Sequence, residues 1–197
     1  MKTVEKDVPL KLFGEWFEEA QKVEPVNPEA MALATATPDG RPSARMVLLK
    51  DWGPDGFVFY TNFESRKGGE LQANGRAALL FYWRKLARQI RIEGPVEAVS
   101  EAEAEAYFAS RPRDTQIGAW ASQQSRPIEG PLVFEKEIAR FAAKYLVGQV
   151  PRPPQWSGFR VLSEEFEFWR ERRFRLHERR LYKRLADGGW SLEILFP

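Results

Sequence analysis

The chain has 197 residues, with 30 Lys and Arg against 28 Asp and Glu, one histidine and no cysteine. Zero cysteines exclude disulfides and thiolate chemistry, and a lone histidine without cysteine argues against a structural zinc site, so no metal is expected. Chemistry must then come from an organic cofactor, carboxylates, hydroxyls or cations, and with a net charge of only +2 the local clustering of basic groups matters more than the field of the whole molecule.

Charged residues make up 29% and apolar residues 43% of the chain, an ordinary mixture for one domain with a real core. The longest unbroken apolar run, AALLFYW at 77–83, is too short to cross a bilayer as a helix. No apolar segment follows the charged start MKTVEKDVPLK as a signal peptide requires, so a cytoplasmic location is expected.

Leu10, Phe13, Trp16 and Phe17 recur at helical spacing in LKLFGEWFEEAQKV, which predicts an amphipathic opening helix. After the proline loop PVNPEA the period changes. MALATAT, the turn PDGR and PSARMVLLK read as strand, turn, strand, with Asp39 and Gly40 in the turn, and a second turn, DWGPDG, leads into the strand FVFYT. These three strands predict a meander. SRKGGELQANGR has helical character with Ser65 as N-cap, and RAALLFYW returns to strand. ARQIRIEGPVEAV alternates, with Ile90 and Ile92 on one side and Gln89, Arg91 and Glu93 on the other.

At Ser100 the helical period resumes, with Glu103 in capping-box position. RDTQIGAWAS and PLVFEKEIARFAAKYL read as further helices and VPRPPQW as a stiff connector. GFRVL, FEFWR, RRLYKRL and WSLEILF read as strands, the last two joined through Asp187, Gly188 and Gly189. The sum is an α+β chain whose antiparallel strands close most naturally as a barrel with peripheral helices.

Four stretches could carry chemistry. RMVLLK, Arg45 to Lys50, is either a buried strand with terminal charges or a strand edge whose backbone and cations face a planar anionic ligand; nothing local decides. YTNFESRKGGE places a hydroxyl, Arg66, Lys67 and free helix amides where a strand gives way to a helix, which suits a phosphate or a solvated basic turn. YFASRPRDTQIGAWASQQS offers Tyr107, Arg111, Arg113 and Thr115, donors a phosphate monoester wants, and also residues that would end a helix at Pro112. FEFWRERRFRLHERR holds the single histidine, His177. Read as an extended chain, it puts Arg175, His177 and Arg179 in one row on the same side.

Together RMVLLK, FYTNFESRK, YFASRPRDTQIGAW and, above all, FEFWRERRFRLHER resemble the pyridoxine/pyridoxamine 5′-phosphate oxidase family, over about Val8 to the last residue. The resemblance implies a single FMN-binding domain of antiparallel split β-barrel type. Its parts are an N-terminal helix and loop at 1–27, the first barrel strands at 28–99, a helical insertion and linker at 100–156, and C-terminal strands at 157–197. It implies a homodimer with FMN at the subunit interface, oxidising pyridoxamine and pyridoxine 5′-phosphates to pyridoxal 5′-phosphate. Dioxygen is the electron acceptor; hydrogen peroxide is released, and ammonia from the amine.

By the same resemblance Arg45, Met46, Val47, Leu48, Leu49 and Lys50 line FMN, while Tyr60, Thr61, Arg66 and Lys67 hold it, the last two at its phosphate. Gln89 lies near the isoalloxazine, and Gln124, Ser125, Trp169 and Arg179 complete that pocket. Lys50, Tyr107, Arg111 and Thr115 grip the substrate phosphate, with Arg175 and His177 at the pyridine ring as the catalytic pair. Thr115 stands where the family is expected to have serine, and Arg170 where glutamine is more familiar. Two alternatives remain beside this reading: a split-barrel flavoprotein acting on another substrate, and a nucleic-acid-binding module using the eight Lys and Arg between Arg170 and Arg184.

Overall fold

The computed structural model describes residues 2–197. Helix α1 (Val8–Val23) has Pro9 in its first turn, where no intrahelical N–H is needed, and buries Phe13, Phe17 and Ala20. Phe13 meets Trp52, Phe57 and Phe81 edge-on at 4.8, 4.9 and 5.4 Å. The helix thereby supplies part of the aromatic core around which the strands wrap.

Those strands are β2 (Ala30–Ala36), β3 (Pro42–Leu48), β5 (Gly56–Asn62), β6 (Arg76–Trp83), β7 (Arg88–Ala98) and β8 (Trp156–Val161). All pairings are antiparallel: β3 with β2, β2 with β6, β6 with β7, and β8 with both β5 and the last residues of β7. Just past β3, the Lys50 N–H donates to the Val58 carbonyl on β5 at 2.9 Å. Strand β7 serves two sheets. Its first half, Arg88 to Glu93, pairs with β9 (Glu165–Arg170), which continues through β10 (Glu178–Arg184) to β11 (Trp190–Ile194). This is the expected antiparallel split barrel. Ile90 and Ile92 are fully buried, as their alternation required.

Two local expectations fail, and one strand appears that no pattern announced. The meander is not formed, because β4 (Asp51–Gly53) makes a tight hairpin with β5 and so turns the other edge of β5 toward β8. Strand β1 (Lys2–Val4), too short to show a period, pairs with β11. The row Arg175–His177–Arg179 is broken as well. Arg173–Arg175 form a 3-10 turn, with Phe174 and Arg175 at φ of 59° and 60°. The chain must reverse there to pair β10 with β9, and left-handed residues achieve the reversal. The turn is tied by the Arg172 side chain on Glu178 (3.0 and 2.6 Å) and the Arg172 N–H donating to His177 Nδ1 (3.2 Å).

Helices α3 (Glu101–Ser110), α4 (Arg113–Ala121) and α5 (Val133–Lys144) pack on a second core containing Phe108, Ile117, Phe141 and Trp156. Ser100 caps α3 by accepting from the Glu103 N–H at 3.2 Å. Only half of the capping box forms, since the Glu103 carboxylate instead accepts from Arg160 Nη2 at 2.8 and 2.9 Å, fixing α3 to β8. Among the described residues no helix is long and apolar enough to cross a membrane.

Candidate active site

Helix α2 (Arg66–Asn74) begins where β5 ends, and Ser65 caps it by accepting from the Gly68 N–H at 3.3 Å. This junction opens into a cleft of about 700 Å³ between the barrel and the helical insertion. From the barrel the cleft takes Met46, Val47, Leu48, Lys50, Tyr60, Thr61 and Lys67; from the insertion it takes Tyr107, Arg111, Thr115 and Gln124. Asn62, Ser122, Phe134 and Trp156 also line it and were not singled out from the sequence. Trp156 had a legible signal, an aromatic residue opening the strand after a proline connector; the other three are polar or apolar residues of ordinary type.

Two half-buried cations of this cleft, Lys67 and Arg111, form no ion pair among the described residues. Lys67 Nζ donates to Gln124 Oε1 at 2.8 Å and to Thr61 Oγ1 at 3.0 Å, both neutral oxygens. Burial, and then the charge of Arg45, lower its pKa from the ordinary lysine value. Arg111 Nη1 is buried with no hydrogen-bond partner, and burial lowers the pKa of that guanidinium too. Burial likewise pushes the Tyr60 phenol up to about 12, so it stays a donor at neutral pH. Desolvated cations without carboxylates are stabilised by an anionic ligand. The donor set therefore fits phosphate groups. Thr115 Oγ1 donates its single hydrogen to the Pro112 carbonyl at 2.7 Å, and must turn from that carbonyl to donate to a phosphate.

Other nominated residues lie elsewhere. Leu49 is in the core, 5% exposed, and Ser125, at φ 72°, follows Gln124 away from the cleft. Arg45 and Arg66 converge on Glu70: Arg66 Nε donates at 2.8 Å and Arg45 Nη2 at 3.3 Å. Ser43 Oγ donates to the same carboxylate at 2.6 Å, and Thr35 also binds it. Burial alone would raise the Glu70 pKa, but the hydrogen bonds from Ser43, Thr35 and Arg66 hold it at about 2. This value is below the unfolded one. The stabilisation is therefore complete above about pH 4.5 and is lost as pH falls from there through about 2. Glu70→Gln is expected to cost about 3 kcal/mol at pH 7 and less at pH 3. Urea midpoints at the two pH values test this; a deficit that does not shrink in acid rejects it.

A second group sits on the outer face of the sheet. Tyr82, Gln89, Trp169 and Arg179 are successive cross-strand partners on β6, β7, β9 and β10, so they form one row. Glu167, 3% exposed, accepts from Arg179 Nε at 2.7 Å and pairs with Arg91 at 2.8 Å, holding the row in place. His177 packs against Trp169 with ring centroids 4.9 Å apart. Its Nδ1 is an acceptor, which assigns the proton of the neutral ring to Nε2. Arg175 is exposed on the turn. Among the described residues none of this row, nor Arg175 or His177, lines the first cleft. The nominated residues thus form two constellations within one chain.

Residues 17–145 match a family model described as pyridoxamine 5′-phosphate oxidase, and residues 156–197 match the pyridoxine 5′-phosphate oxidase C-terminal dimerisation region. A relative from Rhodospirillum rubrum named pyridoxine/pyridoxamine 5′-phosphate oxidase is 59% identical over 100% of both chains. One of the same name from Sphingopyxis alaskensis is 61% identical over 97% of this chain and 88% of its own. The crystal structure of PhzG from Burkholderia lata, in complex with tetrahydrophenazine-1-carboxylic acid, is 34% identical. It superposes with a TM-score of 0.90 over 96% of this chain and 92% of its own. An FMN-binding protein related to pyridoxamine 5′-phosphate oxidase, from Nostoc punctiforme, shares the fold at a TM-score of 0.75 and 18% identity over 95% of this chain and 96% of its own. Both halves of the sequence, and the split barrel they build, point the same way: the chain belongs to the pyridoxamine 5′-phosphate oxidase family.

Proposed function

We propose that this protein is an FMN-dependent oxidase of vitamin B6 metabolism. It converts pyridoxamine 5′-phosphate, dioxygen and water to pyridoxal 5′-phosphate, ammonia and hydrogen peroxide, and pyridoxine 5′-phosphate and dioxygen to pyridoxal 5′-phosphate and hydrogen peroxide. The observation that carries the reading is the pair of half-buried cations without an ion-pair partner, Lys67 and Arg111, set in one cleft with aromatic walls. Two phosphorylated ring compounds need such a pair. FMN, when bound, supplies the hydride acceptor and the route of electrons to dioxygen.

Lys67, Thr61 and Gln124 would hold the flavin phosphate end, with Arg45 and Arg66 aimed by Glu70; Tyr60 and the Met46–Leu48 backbone would flank it. Lys50, Tyr107, Arg111 and Thr115 would grip the substrate phosphate, a handle remote from the reacting carbon that supplies binding energy for alignment. Gln89, Ser125, Trp169 and Arg179 would complete the flavin pocket, Arg175 would cover the pyridine ring, and His177 would present its Nε2–H to it. The protein works as a homodimer, with FMN at the interface and the second constellation reaching the partner's cleft. In support, the dimerisation-region match includes Trp169, Arg175, His177 and Arg179. Met46 and Tyr82, 63% and 59% exposed, flank Ala32 and Leu80 on an apolar strip of the β2–β3–β6 face, the kind of surface a subunit covers.

A second reading, a split-barrel flavoprotein acting on another substrate, is favoured by the PhzG complex, whose ligand is a carboxylic acid. The identities of 59% and 61% to the named oxidases weigh toward B6 vitamers. Oxygen consumption by FMN-loaded protein decides. Turnover is expected with both phosphorylated vitamers, and loss of about a hundredfold or more in kcat/KM is expected without the phosphate. A colourless protein that neither rebinds FMN nor consumes oxygen would overturn the reading.

A further inference from the structure

Arg111 is held differently from the arginines around it. Arg45 and Arg66 meet Glu70, Arg160 meets Glu103, and Arg152 meets Glu101 and Glu105. Arg113 Nη1 donates to the Gly148 carbonyl at 2.8 Å. Arg111 has none of these anchors among the described residues. Its guanidinium carbon lies 4.7 Å over the Trp156 ring and 5.6 Å from that of Phe108, and Nη1 is buried without a partner.

Trp156 is itself rigidly placed. It is 7% exposed, its N–H donates to the Pro153 carbonyl at 3.0 Å, and its own carbonyl accepts from Arg152 Nη1 at 2.6 Å. Its ring is parallel to Tyr60 within 5°, with centroids 5.3 Å apart, and Tyr60 stacks in turn on Tyr107 at 4.0 Å. An indole face attracts a cation without consuming an N–H donor. A carboxylate in its place would occupy part of the guanidinium fork and neutralise its charge.

We infer that Trp156 is a positioning residue for substrate: its indole face orients the Arg111 guanidinium and leaves the N–H donors free for the phosphate monoester. This rests on the function proposed above. Burial lowers the pKa of Arg111, and the nearby Tyr107 and Asp114 offset this only in part. Phe108, on α3, supplies the second face, so orientation survives partly when Trp156 is shortened.

The test uses FMN-loaded wild-type protein, Trp156→Phe and Trp156→Leu. Steady-state kinetics give KM and kcat for pyridoxamine 5′-phosphate, inhibition gives the constant for inorganic phosphate, and flavin fluorescence gives FMN affinity. For the leucine variant KM and the phosphate constant are expected to rise together by about tenfold, and for the phenylalanine variant by about two- to threefold, in the order of ring strength. FMN affinity is expected to stay within about twofold, a split that a merely structural role would not produce. The inference is overturned if both variants keep the wild-type KM, or if KM and FMN affinity worsen in proportion in both. Should the leucine variant not fold, the phenylalanine variant decides by the same criteria. Absence of wild-type turnover would count against the proposed function; calorimetric binding of inorganic phosphate to the three proteins, weakened in the same order or unchanged, still decides the role of Trp156.

Discussion

Combining two inactive variants, Arg111→Ala and Arg175→Ala, is expected to restore activity. Each alone should lose about 10²–10³ in kcat/KM, the usual effect of deleting a charged donor from a preorganised site, while keeping the yellow flavin. The structure explains why they should complement. Arg111 lines the cleft of its own chain, whereas Arg175 sits exposed on the β9–β10 turn and does not. Both can serve one substrate if the turn reaches the partner subunit's cleft. In a mixed dimer one site then carries both substitutions and the other carries neither. Random assortment makes half of the dimers mixed, so about a quarter of the wild-type sites should reappear. Co-expression with two affinity tags isolates the mixed dimer. If that purified species is as inactive as its parents, the two arginines do not meet across an interface.

Local features of this fold were legible in the sequence, and non-local ones were not. Periodicity is a local signal, and it located α1, the alternation of Ile90 with Ile92, and the Ser65 and Ser100 caps because those features depend on neighbours a few residues away. Pairing across the split barrel is non-local. Nothing in DWGPDG says that β5 abandons β3 for β8, a choice made by the hairpin at Asp51–Gly53 and by packing around Phe13. The basic run at Arg170–Arg184 misled for a related reason. Alternating spacing there predicts extended chain, yet Phe174 and Arg175 adopt left-handed backbone that few L residues favour, and only the demand to close β9 onto β10 selects it. Cleft residues on β5 and α2 were legible because a strand, a cap and two cations are contiguous there. Trp156 stood out only as an aromatic residue opening a strand, since its bearing on the cleft runs through Arg111, 45 positions earlier in the chain. Glu70 and Glu167 were passed over because a carboxylate that aims an arginine looks in sequence like any surface acid.

Gly94→Ala is expected to cost more stability than any other single methyl group added at a strand glycine of this barrel. A Cβ at Gly94 would lie 1.8 Å from the Leu162 carbonyl oxygen, 2.9 Å from the Leu162 carbonyl carbon and 3.2 Å from the Glu164 nitrogen. These are backbone atoms, and they are tied down on both sides. The Leu162 N–H donates to the Pro95 carbonyl at 2.9 Å and the Glu164 N–H to the Glu93 carbonyl at 2.8 Å. Gly94 is also opposite Ala77 in the β6–β7 ladder, so β7 cannot retreat. The position is the crossing at which β7 passes from β9 to β8, and close backbone approach is what a strand glycine permits there. Relief requires breaking both hydrogen bonds and separating the two sheets. A loss of about 4 kcal/mol or more follows, which for a domain of this size lowers Tm by about 8–16 °C. Gly69→Ala on α2 is the matched control. Nothing lies within 4 Å of its Cβ, and the helix should gain up to about 1 kcal/mol. Thermal melts of the FMN-free proteins compare the two directly, and a Gly94→Ala protein melting as the wild type does would show that the crossing yields, contrary to the geometry that splits the barrel.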